Sequence, residues 1–127
     1  MLLRLFVGLY AVLFLGFGAF VLINPDSLTK MIGAVAISRD GIYELRSNYG
    51  GVSLGIGLFC LAATIQTTLA RPALFVLFVY TGGYALGRIL AWPSEGAPSN
   101  TLLAYAVFEA VTAALSLTLL LSAARRR

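Results

Sequence analysis

Long apolar stretches, separated by short polar ones, dominate the pattern along this chain. An apolar run of about 20 residues is long enough to cross a membrane as a helix. The pattern predicts four such helices, at about residues 3–23, 47–70, 73–92 and 101–124. Because they use most of the chain, we expect a single domain over residues 1–127, an all-α integral membrane four-helix bundle.

Helix-breaking and helix-capping residues separate the predicted spans. Asn24-Pro25 ends the first span, because the residue before a proline avoids the helical region. Arg71-Pro72 separates the second span from the third, and Pro72 suits a first helical turn. Residues 93–99 are rich in turn formers, and Ser99 is a good N-cap type for the fourth span.

The loop between the first two spans is the longest, at about residues 24–43. Residues 26–33 predict a short, capped, amphipathic helix, and residues 34–37 that follow it are apolar. The segment is too short and too often charged to cross a membrane. We expect it to lie along the membrane surface or to fold over the bundle.

The distribution of Lys and Arg predicts the orientation of the chain. Arg4, Arg71 and the arginines at 125–127 fall on one side, whereas Lys30 and Arg39 lie in loops on the other. Because positive charge favours the inside, we expect both termini in the cytoplasm and a multi-pass protein of the inner cell membrane. No cleavage-type site follows the first apolar run, which is therefore predicted to be a retained helix. The C-terminal arginines are interpreted as a topology signal and not as a nucleic-acid-binding tail.

Composition narrows the chemistry. Hydrophobic residues make up 60% of the chain and charged residues 11%, against about 25% charged in soluble domains. The chain has no His and one Cys, which excludes imidazole ligands, an intrachain disulfide and a C-x-x-C pair. We therefore expect no metal site, no cofactor and no catalytic residue set.

A few ionisable residues fall at or inside the ends of the predicted spans, and all of them lie in the outer half: Glu44, Arg46, Arg88 and Glu109. At 1.5 Å per residue, Arg88 lies roughly 6 Å and Glu109 roughly 12 Å below the outer interface. Such groups are costly in a membrane, so they usually face the interior and find partners. The four charges sum to zero, which predicts one neutral polar cup.

Polar neighbours at helical spacing extend this cluster. Tyr84 precedes Arg88 by one helical turn, and Tyr105 precedes Glu109 in the same way. The candidate ligand-binding residues are Glu44, Arg46, Asn48, Tyr49, Tyr84, Arg88, Tyr105 and Glu109. Two alternatives stay open: Arg88 and Glu109 form an ion pair that fixes helix register, or the cluster belongs to a proton or ion path.

Two glycine pairs have the small-x-x-x-small spacing that lets helix backbones approach closely. They are Gly51 with Gly55 in the second span and Gly83 with Gly87 in the third. We expect these glycines to mediate close helix packing, either within the bundle or across a homodimer.

The motif Glu-x-Arg-x-x-Tyr-Gly-Gly at residues 44–51, Gly87-Arg88 and Glu109 together resemble a known family. It consists of small bacterial four-helix membrane proteins described as a domain of unknown function, distantly similar to the DoxX/DoxD-like group. The resemblance implies a four-helix bundle in the cytoplasmic membrane and no established activity. By analogy, the DoxX/DoxD relation implies an accessory subunit near quinone-linked redox chemistry.

The sequence is therefore interpreted as a non-catalytic accessory protein that binds a lipid or quinone-type ligand in a polar Glu/Arg cup. Its expected partners are the lipid bilayer, that ligand, and either a second copy or a partner membrane subunit. Alternatives are a small membrane transporter and a subunit of a membrane redox complex. An enzyme is a further alternative, because a Glu–Arg pair can support acid–base chemistry.

Overall fold

The computed structural model describes residues 2–35 and 38–124, and every regular element within them is helical. In chain order, the elements are α1 (Leu2–Ile23), α2 (Pro25–Ile32), α3 (Arg39–Leu45), a π-helix (Arg46–Gly51), α4 (Val52–Ile65), a 3₁₀ turn (Thr67–Leu69), α5 (Ala70–Glu95) and α6 (Asn100–Ala124). Residues 36–37 of the first loop and the arginines at 125–127 lie outside the described residues.

Four helical stretches are long and apolar enough to cross a membrane: Leu2–Ile23, Arg39–Ile65, Thr67–Glu95 and Asn100–Ser122. This confirms the predicted all-α fold class with four spanning-capable helices. The chain divides into two compact units, Met1–Ala70 and Arg71–Arg127.

In the first unit, α1 packs along α4. The buried face of α1 includes Val7, Ala11 and Phe14, which recur at the spacing of one helix face. The facing side of α4 is made of small residues, so that the two helices can approach closely. Those residues are Ser53, Gly57, Cys60 and Ala63.

Three glycines make this close approach possible. A Cβ atom on Gly18 would lie 2.8 Å from the carbonyl oxygen of Gly50, and one on Gly57 would lie 2.8 Å from the backbone nitrogen of Leu15. A Cβ on Gly50 would lie 2.7 Å from the Leu22 side chain. Gly18 and Gly57 face backbone atoms that cannot move aside, so the packing of the first unit depends on glycine at these two positions, whereas Gly50 faces the flexible end of Leu22.

The second long helix begins at Arg39, earlier than the predicted boundary at residue 47. Its N-cap is Ser38, whose hydroxyl oxygen accepts a hydrogen bond of 3.1 Å from the backbone N–H of Gly41. Asp40 in the first turn adds a negative charge where the helix dipole favours one. The helix then passes through the π-helical segment, which carries most of the Glu-x-Arg-x-x-Tyr-Gly-Gly motif.

The short helix predicted in the first loop is present as α2. Pro25 occupies its first turn, and Gly33 ends it with a φ of +69°, a conformation that glycine adopts easily. Leu28 and Thr29 are buried, and the Thr29 hydroxyl donates a hydrogen bond of 2.8 Å to the carbonyl oxygen of Asp26.

Other helix ends differ from the predicted boundaries. The chain turns at Gln66, where the backbone is extended, and α5 begins at Ala70, so that Pro72 lies in its first turn. α5 continues past Pro93 to Glu95, and Pro93 itself has no backbone N–H to donate to the preceding helical turn. Ser99 caps α6, accepting a hydrogen bond of 3.3 Å from the backbone N–H of Leu102.

In the second unit, the buried positions of α5 and α6 are small or apolar. They include Ala73, Leu74, Leu77, Thr81 and Ala85 on α5, and Thr112, Ala113 and Ser116 on α6. A Cβ on Gly82 would make an ordinary van der Waals contact, 3.6 Å, with the Cβ of Ala113. α5 and α6 therefore approach each other at this level.

Candidate functional site

Arg88 on α5 and Glu109 on α6 form a bidentate ion pair within the second unit. Nε of Arg88 lies 2.7 Å from Oε2 of Glu109, and Nη2 lies 2.9 Å from Oε1. The two side chains are 28% and 13% exposed, respectively. Paired parallel hydrogen bonds between a guanidinium and a carboxylate are both stronger and more directional than a single contact. The pair therefore connects α5 to α6 at a defined register.

Tyr84 of α5 lies next to this ion pair, and Tyr80 lies one helical turn before Tyr84. The rings of Tyr80 and Tyr84 meet edge to face, with their centroids 5.1 Å apart and their planes at 69°. Tyr84 is close enough to interact electrostatically with both Arg88 and Glu109. Tyr105 is half-buried on α6, one helical turn before Glu109. The second unit thus brings together Tyr84, Arg88 and Glu109 of the predicted set.

The first unit contains an open depression of about 370 Å³ beside the start of the second long helix. Three predicted site residues line it: Glu44, Asn48 and Tyr49. Ala34, Val35 and Leu45 give the same depression apolar walls. It therefore combines a polar side with an apolar one.

Glu44 and Asn48 are hydrogen-bonded to each other at this depression. Nδ2 of Asn48 donates to Oε2 of Glu44 over 2.7 Å, between residues one helical turn apart. A carboxylate accepts but does not donate hydrogen bonds, so it holds the Asn48 amide with its nitrogen toward Glu44. Because Glu44 lies in the last turn of α3 and Asn48 lies in the π-helical segment that continues it, the helix itself aligns the two side chains.

The charge at the depression is negative. Among the described residues that line the depression, Glu44 is acidic and none is Lys or Arg. Arg46 lies in the π-helical segment, two residues after Glu44, and is exposed. Residues two apart on a helix point in different directions, which accounts for the absence of Arg46 from the described lining.

Within residues 2–35 and 38–124, no three acidic, cysteine or histidine side chains converge in a way that could hold a metal ion. The depression itself offers the carboxylate of Glu44, the amide of Asn48 and the phenol ring of Tyr49.

A comparison with known protein families matches residues 2–120 to the family described as Domain of unknown function (DUF4345). The chain belongs to this family. The match takes in all of the residues that line the depression and the Arg88–Glu109 pair. It confirms the part of the sequence resemblance that pointed to a domain of unknown function. No curated protein and no solved structure matches the chain.

In this DUF4345 chain, the four glycines predicted to mediate helix packing are all exposed: Gly51, Gly55, Gly83 and Gly87. A Cβ on Gly55, Gly83 or Gly87 would meet no atom of the described chain within 4 Å. The close contacts within the first unit use Gly18, Gly50 and Gly57 instead. Packing of the exposed glycines against another chain stays a prediction.

Several residues of the depression of the DUF4345 chain were not predicted from its sequence. Ser38 and Gly41 contribute to its lining along with the apolar residues at 34 and 35. Ser38 is a preferred N-cap residue and Asp40 places an acidic residue in the first turn, and together they indicate a helix start nearer the N-terminus than residue 47. With that start, Ser38, Gly41 and Glu44 would have appeared close together.

Proposed function

We propose that this protein is a non-catalytic, multi-pass membrane protein that binds a membrane amphiphile of the lipid or quinone kind. The binding site of this proposal is the depression of the first unit. One observation carries it: Glu44, Asn48 and Tyr49 line the same depression as the apolar residues Ala34, Val35 and Leu45. An amphiphile has a polar head and an apolar body, and this lining offers a partner to each of them.

In this proposal the Arg88–Glu109 pair has a structural role. Both oxygens of the Glu109 carboxylate already accept hydrogen bonds from Arg88. A carboxylate held in this way is poorly suited to bind and release a cation, which favours a binding protein over a small cation transporter. The proposal rests on the depression alone and does not require all four outer charges to share one cup.

We further propose that the protein resides in the inner cell membrane with both termini in the cytoplasm. Arg4, Arg71 and the arginines at 125–127 support this orientation. An accessory role beside a partner membrane subunit, such as a redox complex, is supported by the distant DoxX/DoxD resemblance. The exposed glycines Gly83 and Gly87 support contact with such a partner or with a second copy.

Photolabelling with a membrane amphiphile tests the binding site. The full chain in its own membrane is illuminated with a long-chain alcohol that carries a diazirine beside its hydroxyl, and labelled residues are mapped by peptide mass spectrometry. We expect labels to concentrate at Ala34, Val35 and Tyr49. We also expect the variant Ala34→Trp to lose them, because Ala34 is exposed at the depression and a tryptophan there fills it.

The exposed residues Leu86 and Leu90 on α5 provide the reference level of labelling by bulk lipid. Labelling at the depression that does not exceed the level at these leucines would contradict the proposal. Equal labelling of the native chain and Ala34→Trp would contradict it as well.

A further inference from the structure

The hydrogen bond between Glu44 and Asn48 determines which polar atoms remain for a ligand. Oε2 of Glu44 accepts from Nδ2 of Asn48 over 2.7 Å. Oε1 of Glu44 makes no hydrogen bond to another residue in the described part of the chain. Because the amide nitrogen is turned toward the carboxylate, the carbonyl oxygen of Asn48 remains as a further acceptor. The charged atom that a bound headgroup meets is therefore an acceptor.

The rest of the described lining does not neutralise this carboxylate. None of the described residues that line the depression is Lys or Arg, and three of them, Ala34, Val35 and Leu45, are apolar. A ligand seated there removes water from Oε1 of Glu44. Removing water from a charged acceptor costs free energy unless a hydrogen-bond donor replaces the water. A hydrogen bond from a donor to a charged acceptor is among the stronger ones in proteins.

We infer that the depression selects amphiphiles whose headgroup donates hydrogen bonds, through an ammonium or a hydroxyl group. Headgroups that only accept hydrogen bonds, or that carry a net negative charge, are excluded by the Glu44 carboxylate. This inference rests on the proposed function and specifies the chemistry of the same site.

Two matched pairs of probes separate hydrogen-bond donation from the other properties of a headgroup. Phosphatidylethanolamine and phosphatidylcholine carry the same net charge, but only the first has N–H donors. A quinol and its quinone share one ring and tail, but only the quinol has O–H donors. Each probe is titrated into the delipidated full chain in detergent without oxygen, and bound probe is counted by native mass spectrometry.

We expect the donor-bearing member of at least one pair to bind about tenfold more tightly, the effect of one hydrogen bond to a charged group. A preference in the lipid pair identifies an ammonium headgroup, and one in the quinone pair identifies a hydroxyl headgroup. Equal binding of both members in both pairs would overturn the inference and leave the proposed function standing. Failure of all four probes to bind would overturn the proposed function itself.

Glu44→Gln is the variant that tests the role of the charge. Glutamine keeps the length of the side chain and its ability to accept from Asn48, so the depression keeps its shape. We expect the preference for the donor-bearing probe to fall to about threefold or less. Glu95→Gln, which changes an exposed carboxylate at the end of α5, is the matched control and keeps the full preference. An undiminished preference in Glu44→Gln overturns the inference.

Discussion

The guanidinium of Arg88 and the carboxylate of Glu109 bind each other through two parallel hydrogen bonds, of 2.7 and 2.9 Å. The residues come from different helices of the same unit and are separated by twenty-one positions in the chain. Glu109 is the more buried partner, with 13% of its side chain exposed. A pair of this geometry fixes both the rotation and the height of one helix against the other.

Removing one partner of this pair is expected to destabilise the protein more than removing both. Arg88→Leu leaves the Glu109 carboxylate without its counter-charge, which costs about 3–5 kcal/mol for fully buried pairs and less where one partner is partly exposed. The double variant Arg88→Leu/Glu109→Leu leaves no uncompensated charge. We therefore expect its free energy of unfolding to lie closer to that of the native chain than either single variant does.

A double-mutant cycle measured by reversible unfolding in mixed micelles tests this expectation. The exchanged pair Arg88→Glu/Glu109→Arg serves as a further control, because it restores the opposite charges in the reverse order. Additive effects of the two single variants would show that the pair does not connect α5 to α6.

The contact between α1 and α4 predicts a difference between two neighbouring glycines. In Gly18→Ala, the new methyl group would lie 2.8 Å from backbone atoms of the second long helix, which cannot move aside easily. We expect a loss of about 1–3 kcal/mol, typical of overpacking. Gly16→Ala, on the same helix with no described atom within 4 Å, should be neutral or should stabilise by up to about 1 kcal/mol.

Thermal unfolding of both variants in detergent, followed by circular dichroism, measures this difference. Equal unfolding temperatures for Gly18→Ala and Gly16→Ala would contradict the packing of α1 on α4.

Hydropathy and helix breakers were sufficient to predict the four long helices, but not which glycines bring helices together. The spacing of four residues predicted Gly51 and Gly55 as packing residues, and both are exposed. The buried face of the second long helix instead carries small residues at alternating spacings of three and four: Gly50, Ser53, Gly57 and Cys60. That heptad-like pattern was visible in the sequence, and it is the pattern that helix pairs of this kind use.

The candidate site was predictable in part. Arg88 and Glu109 were correctly expected to be close, because charges inside a membrane find partners. Glu44 and Asn48 were expected to share a helix face, as their hydrogen bond confirms. The contribution of Ala34 and Val35 to the depression depends on the path of the first loop after Gly33, which no periodic pattern in the sequence specifies.

The predicted orientation leads to a labelling pattern for single cysteines. Cys60 is fully buried, so the native chain should not react with a membrane-impermeant maleimide, and Cys60→Ser gives a cysteine-free background. In that background, Ala97→Cys before α6 should be labelled in intact cells. Thr68→Cys, between the second and third long helices, should be labelled only after the membrane is opened.

Both positions are exposed at helix ends, so neither change disturbs packing. The reverse pattern, with Thr68→Cys labelled in intact cells, would show that the termini lie outside.

Changes at the depression should separate ligand binding from stability. Glu44 and Asn48 are exposed, and surface substitutions of this kind usually alter stability by no more than about 0.5 kcal/mol. We expect Glu44→Gln and Ala34→Trp to unfold at nearly the native temperature but to retain much less amphiphile after purification. A parallel fall in stability and in retention would assign these residues to folding.

Native mass spectrometry of the full chain released from its own membrane tests the central claim most directly. We expect the native chain and Glu95→Gln to retain one amphiphile per chain and Ala34→Trp to retain none. A native chain that carries no amphiphile, or one that Ala34→Trp retains equally, would contradict the claim that the depression beside Glu44 and Asn48 is a binding site.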